Sequence, residues 1–102
     1  MVAYVIADNE ILDPEKYAEY ARLSEPAMAS YKGRFLARGG KAETLDGTWE
    51  PKRIVIIEFD SVEQARAWVN SEEYRIPRQI KHSASMVRTI VVEGLEKSSS
   101  AR

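Results

Sequence analysis

The stretch from Lys52 to Asp60, KRIVIIEFD, is apolar on both faces of the strand it predicts. Successive strand side chains point to opposite sides, so Val55, Ile57 and Phe59 share one face while Ile54, Ile56 and Glu58 share the other. A sheet covered on one side alternates apolar with polar positions, so two apolar faces call for two covers. A chain of 102 residues supplies one layer of helices. The second cover is expected to be another copy of the chain, which would make dimerisation part of the fold.

The rest of the pattern builds around that strand. Val2 to Ile11 predicts a first strand, again apolar on both sides, with Val2, Tyr4 and Ile6 opposite Ala3, Val5 and Ala7. Asp13-Pro14 predicts a helix start, since Asp accepts from free amides of the first turn and Pro lacks an N–H where none is needed. Tyr17, Tyr20, Ala21, Ser24, Ala27, Met28 and Tyr31 recur at spacings of three and four, a stripe that faces the sheet. Pro26 predicts a kink near Glu25, and Gly33 a left-handed end to the helix. Arg34 to Leu45 predicts the second strand, with Gly39-Gly40 marking a bulge, and Asp46-Gly47 the turn of a hairpin into the central strand. Ser61-Val62-Glu63-Gln64 reads as a reciprocal capping box, followed by a helix whose stripe is Val62, Ala65, Trp68 and Val69. Ser71 caps a shorter turn through Tyr74, and Pro77 is expected to disrupt regular structure. Ser85 to Gly94 predicts the last strand.

The order is β-α-β-β-α-β, the split βαβ arrangement: an α+β domain with a four-stranded antiparallel sheet and both helices on one face. Two such sheets meeting face to face would form a closed or nearly closed barrel about a two-fold axis. One domain is expected over residues 1–95, with a flexible polar tail over 96–102.

Composition narrows the partners. Lys plus Arg number 15 against 16 Asp plus Glu, a balance without the basic stripe that nucleic acid requires. No apolar run approaches the roughly 20 residues that span a bilayer, and the N-terminus lacks the basic and small-residue signals of a leader, so the expected location is cytoplasmic. The chain has no cysteine. With a single histidine as well, metal ligands would have to be mostly carboxylates, no paired spacing such as H-E-x-x-H appears, only His82 could hold a haem, and no cofactor is expected.

Arg34-Phe35-Leu36-Ala37-Arg38-Gly39-Gly40, Gly47-Thr48-Trp49-Glu50-Pro51, Glu58-Phe59, Ala65 with Trp68, Ser71 with Tyr74, and Val92-Glu93-Gly94 together resemble the domain-of-unknown-function family numbered thirteen-thirty. The resemblance covers nearly the whole chain, which departs from the family's pattern at Glu72 and at Lys81-His82. It implies a ferredoxin-like protomer and a dimeric α/β barrel, and lends no activity. Its wider superfamily includes cofactor-free monooxygenases, muconolactone isomerases and haem-dependent enzymes, an analogy at the level of fold.

Candidate chemistry rests on a few residues. Glu58 alternates with Ile54 and Ile56; under a cover its carboxyl would be protonated or paired, with Arg38 and Arg88 the natural cations. These three form either an acid or base with two anion anchors, or a structural ion pair at the strand ends. His82 suits proton transfer near neutrality, yet a Lys-His-Ser-Ala loop would also expose it to solvent. Trp68, Tyr74, Tyr4 and the helix tyrosines suit an aromatic cleft for a flat ligand, or simply the core. Two functions follow from these alternatives: a small homodimeric binding protein with a pocket between sheet and helices, or a cofactor-independent monooxygenase or isomerase acting on a small aromatic or polyketide-like acid.

Overall fold

The computed structural model describes residues 1–95; the tail expected at 96–102 lies outside them. Its elements are β1 (Ala3–Ile11), α1 (Pro14–Ser30), β2 (Arg34–Arg38), β3 (Ile54–Phe59), α2 (Val62–Val69), α3 (Glu72–Ala84) and β4 (Ser85–Glu93). The strands form one antiparallel sheet in the order β2-β3-β1-β4, the ferredoxin-like arrangement. In register, Val5 lies between Ile57 and Val91, and Tyr4 between Glu58 and Val92.

Strand alternation fixes which face is the core. Ala3, Val5 and Ala7 of β1 and Val55, Ile57 and Phe59 of β3 are buried, and all but Ala3 join one core with Ala27 and Met28 of α1, Ala65 and Trp68 of α2 and Tyr74 of α3. The other parity, with Tyr4, Ile6, Ile54, Ile56 and Glu58, is on the far face and only partly covered.

The barrel expected from the two greasy faces of β3 is not formed. The sheet is open: β2 and β4 are its two edges and do not pair with each other. Part of the second cover comes from the chain itself. The segment 39–53 folds back over the far face, where Asp8 accepts from the amides of Lys52 (2.9 Å) and Arg53 (3.1 Å) and from the Trp49 indole N–H (3.0 Å). Burial alone would raise the Asp8 pKa, but these three donors and the nearby Arg88 outweigh it and hold the carboxyl below its ordinary value.

Local signals read in the sequence mostly hold, with instructive exceptions. Asp13 and Ser61 cap α1 and α2 through the amides of Lys16 and Gln64. The Gln64 side chain does not return to Ser61; it donates to the Tyr31 carbonyl at 3.1 Å and ties the end of α1 to the start of α2. Helix α1 runs through Pro26 without a break in its assignment. Its left-handed terminal residue is Lys32 (φ 63°), not Gly33. Gly33 is needed for space instead, since a Cβ there would stand 2.6 Å from Met28 Cγ and 2.9 Å from the Phe59 ring. Strand β2 ends at Arg38, short of the predicted Leu45, and its bulge falls between Phe35 and Ala37 rather than at the glycine pair.

The largest departure is α3. The sequence predicts a short turn ending near Pro77, but Ser71 accepts from the Tyr74 amide (3.1 Å) and starts a helix of 13 residues that continues through Pro77 to Ala84. Proline removes one helical hydrogen bond, and packing of α3 against α1 offsets that loss. This helix delivers most of the polar chemistry described next.

Candidate functional site

Between the helix-covered face of the sheet and helices α1, α2 and α3 lies a cavity of about 180 Å³. Its apolar floor is Val5, Ala7, Val55 and Ile57 of the sheet. A run of aromatic rings forms the wall: Trp68 stacks on Tyr74 (centroids 4.3 Å apart), Tyr74 meets the edge of Tyr20 (6.3 Å), and Tyr20 lies against Tyr17 (5.2 Å). Flat faces of this kind suit a planar ligand.

The polar groups come from three places. Asn9 continues the buried parity of β1 and donates to the Tyr17 hydroxyl at 2.8 Å. Arg53, just ahead of β3, donates to the same oxygen at 3.2 Å. From α3, the residues Tyr74, Arg78 and Lys81 recur at spacings of four and three, so one helical face carries all three into the cavity lining. The Tyr74 and Tyr20 hydroxyls bond each other at 3.0 Å, and burial raises both phenols above their ordinary pKa.

Lys81 is the most unusual group. Its side chain is buried, and its Nζ sits 5.6 Å from the ring centres of both Tyr20 and Tyr74. Burial first, and the Arg78 charge second, lower its pKa to about 8. Neighbouring His82 is exposed at the rim; burial, Lys81 and Arg78 lower its pKa as well, so it is neutral at pH 7. Among the described residues no Asp or Glu lines the cavity.

Of the residues singled out in the sequence, Arg38, Trp68, Tyr74 and His82 line this cavity. Arg38 lies over the Phe35 ring (4.2 Å) and pairs with Glu25. Tyr4, Glu58 and Arg88 stand on the far face. Glu58 pairs with Arg34 at 2.9 Å rather than with Arg38 or Arg88, and Arg88 reaches only toward Asp8, at 3.9 Å. Lys81, Arg78, Arg53 and Asn9 were not singled out. Their signals were the spacing 74, 78, 81, hidden by Pro77, and a polar residue continuing the Ala3, Val5, Ala7 parity.

No helix among the described residues is long and apolar enough to cross a membrane. Among curated proteins none matches the chain. Solved structures show the fold. A protein of unknown function from Rhodopseudomonas palustris, RPA0582, superposes with a TM-score of 0.77 at 19% identity, over 93% of this chain and 83% of that one. SnoaB, a cofactor-independent oxygenase from Streptomyces nogalater, gives 0.64 at 8% identity over 94% and 95%. A dimeric ferredoxin-like protein of unknown function from Bacteroides fragilis gives 0.53 at 14% identity over 91% and 96%. The family model for the domain of unknown function DUF1330 matches residues 2–95, and the chain therefore belongs to the DUF1330 family.

Proposed function

We propose that this protein is a cofactor-independent oxygenase or isomerase acting on a small aromatic or polyketide-like acid held between the sheet and the helices. The observation that carries this reading is the cavity lining, in which aromatic walls and cationic side chains converge with no carboxylate among the described residues that line it. The likeness in fold to SnoaB, a cofactor-independent oxygenase, is in keeping with it. The first step is removal of a proton from an acidic carbon of the substrate. In the oxygenase case the carbanion then reduces O₂: a CH₂ becomes a carbonyl, one oxygen atom is retained and the other leaves as water. In the isomerase case the proton returns to a different carbon. Trp68 and Tyr74 shape the pocket, and His82 at the rim, neutral at pH 7, accepts the proton; Arg38 at the edge is paired with Glu25 and does not anchor the anion. Glu58, Arg88 and Tyr4 have no part in this scheme, because the sheet separates them from the cavity.

Phenylpyruvate tests the shared first step, since it carries a ring, a carboxylate and an acidic CH₂. In D₂O, NMR should show loss of its benzylic proton signal faster with protein than with buffer alone. His82→Ala should slow that exchange at least about a hundredfold, the low end of the range for losing a general base. Exchange no faster than buffer, for this compound and for related aryl 2-oxo acids, would sink the reading.

The far sheet face also suits a second copy of the chain. Ile90 is 61% exposed and Val92 43% exposed, beside partly covered Ile6, Ile54 and Ile56, an apolar patch of the kind that marks an interface. The relative from Bacteroides fragilis is dimeric. Sedimentation velocity should give twice the chain mass, and Ile90→Lys should return it to the monomer value. A wild-type monomer at micromolar concentration would refute the homodimer.

A further inference from the structure

Lys81 presents a buried ammonium that no described residue neutralises. It is 7% exposed, and among the described residues no carboxylate lies within ion-pair distance of it. The groups around it do not supply the missing charge. Lys81 stands against the rings of Tyr20 on α1 and Tyr74 on its own helix, and the same cavity is lined by Tyr17, Arg78, His82, Arg53 and Arg38, the last paired with Glu25. Burial raises the Tyr20 and Tyr74 phenols above their ordinary value and keeps them neutral at pH 7, so they supply no negative charge, and the arginines add only positive charge. A buried cation without an anion is costly. Two further buried atoms of the lining residues, Asn9 Oδ1 and Trp68 Nε1, have no hydrogen-bond partner, although such atoms are almost always satisfied.

From this arrangement we infer that the ligand is a one-ring aromatic carboxylate whose anionic group seats on Lys81, with its ring between Trp68, Tyr74 and Tyr20. This rests on the proposed function for the cavity and narrows its ligand. Size sets the ring count. The cavity's 180 Å³ is close to the roughly 150 Å³ of an apolar cavity known to take benzene, which leaves room for one ring and a short substituent. Charge sets the head group. A carboxylate on Lys81 completes an ion pair out of water, and the Arg53 and Arg78 guanidiniums of the same lining add to the attraction. Because the free amine loses its proton near pH 8, binding above that pH must take up a proton.

Isothermal titration calorimetry with benzoate, and with benzamide as the neutral isostere, reads this directly and does not depend on turnover. Benzoate is expected to bind at pH 7 at least about tenfold more tightly than benzamide, the ratio for one charge-assisted contact. Lys81→Met should remove that preference. On the wild-type protein, titration at pH 9 in buffers of different ionisation enthalpy should reveal uptake of close to one proton per benzoate. His82 also titrates but is neutral throughout this range, so the uptake reports Lys81. Equal affinity for benzoate and benzamide, absence of benzoate binding, or binding at pH 9 without proton uptake would each overturn the assignment. Benzoate binding together with failed deuterium exchange would refute the catalytic reading and leave this one standing.

Discussion

Replacing Lys81 with methionine is expected to make the ligand-free protein more stable, not less, by about 2 kcal/mol at pH 7. The wild-type folded state holds a charge where its pKa falls from 10.5 to about 8. At about 1.36 kcal/mol per unit, that shift sets a ceiling of roughly 3 kcal/mol on the penalty. The faces of Tyr20 and Tyr74 return part of it, because the ammonium stands 5.6 Å from each ring centre. Methionine fills similar space with a flexible apolar chain and needs no counter-charge.

The pH dependence gives the prediction its signature. Below about pH 8, Lys81 is protonated in both folded and unfolded states, so the full penalty applies. Between about 8 and 10.5 the folded state releases its proton while the unfolded state keeps it, and the penalty fades. The advantage of Lys81→Met should therefore be constant from neutrality up to about pH 8 and shrink as pH rises toward 10.5. Urea unfolding at pH 7 and pH 10 measures it. Benzoate should narrow the gap at pH 7 by stabilising only the wild type. A variant less stable than wild type at pH 7 would mean that Lys81 is paired in a way the cavity geometry does not reveal. A residue that lowers stability without a ligand and meets no structural need is one retained for what it binds.

Lys81 also marks the boundary of what the sequence could reveal. Strand alternation around Val55, Ile57 and Phe59, the caps at Asp13, Ser61 and Ser71, and the order of strands are local signals, and they carried the sheet and its helices. The barrel failed because an apolar parity says that a face wants cover and not what provides it; Trp49 and the backbone at Lys52 and Arg53, folded onto Asp8, supply part of that cover from within the chain. The spacing 74, 78, 81 was hidden for the opposite reason. Pro77 carries a strong local bias against helix, and tertiary packing of α3 on α1 overrode it. Reading through that proline would have aligned Tyr74, Arg78 and Lys81 on one face. Glu58 shows the same limit from another side: strand neighbours could be inferred, but not that Arg34, opposite it in register, would take the carboxylate in place of Arg38.

The largest loss of stability is expected at Tyr74. Its side chain is 1% exposed, stacks on Trp68 at 4.3 Å and bonds the Tyr20 hydroxyl at 3.0 Å. Tyr74→Ala removes a large aromatic ring from the wall and leaves that hydroxyl without its partner, at a cost of about 3–5 kcal/mol. For a domain whose whole stability is of order 5–15 kcal/mol, this brings the chain close to unfolding at 37 °C. Tyr74→Phe separates the two contributions. It keeps the ring, the stack on Trp68 and the π-face turned to Lys81, and loses only the hydroxyl pair, a cost of about 1 kcal/mol. Urea denaturation of the two variants should therefore differ by at least about 2 kcal/mol. Benzoate affinity should follow the ring and not the hydroxyl, nearly unchanged in Tyr74→Phe and weakened at low temperature in any folded fraction of Tyr74→Ala. Equal destabilisation by the two substitutions would show instead that the Tyr20–Tyr74 hydroxyl bond, rather than the aromatic wall, holds α1 and α3 together around the cavity.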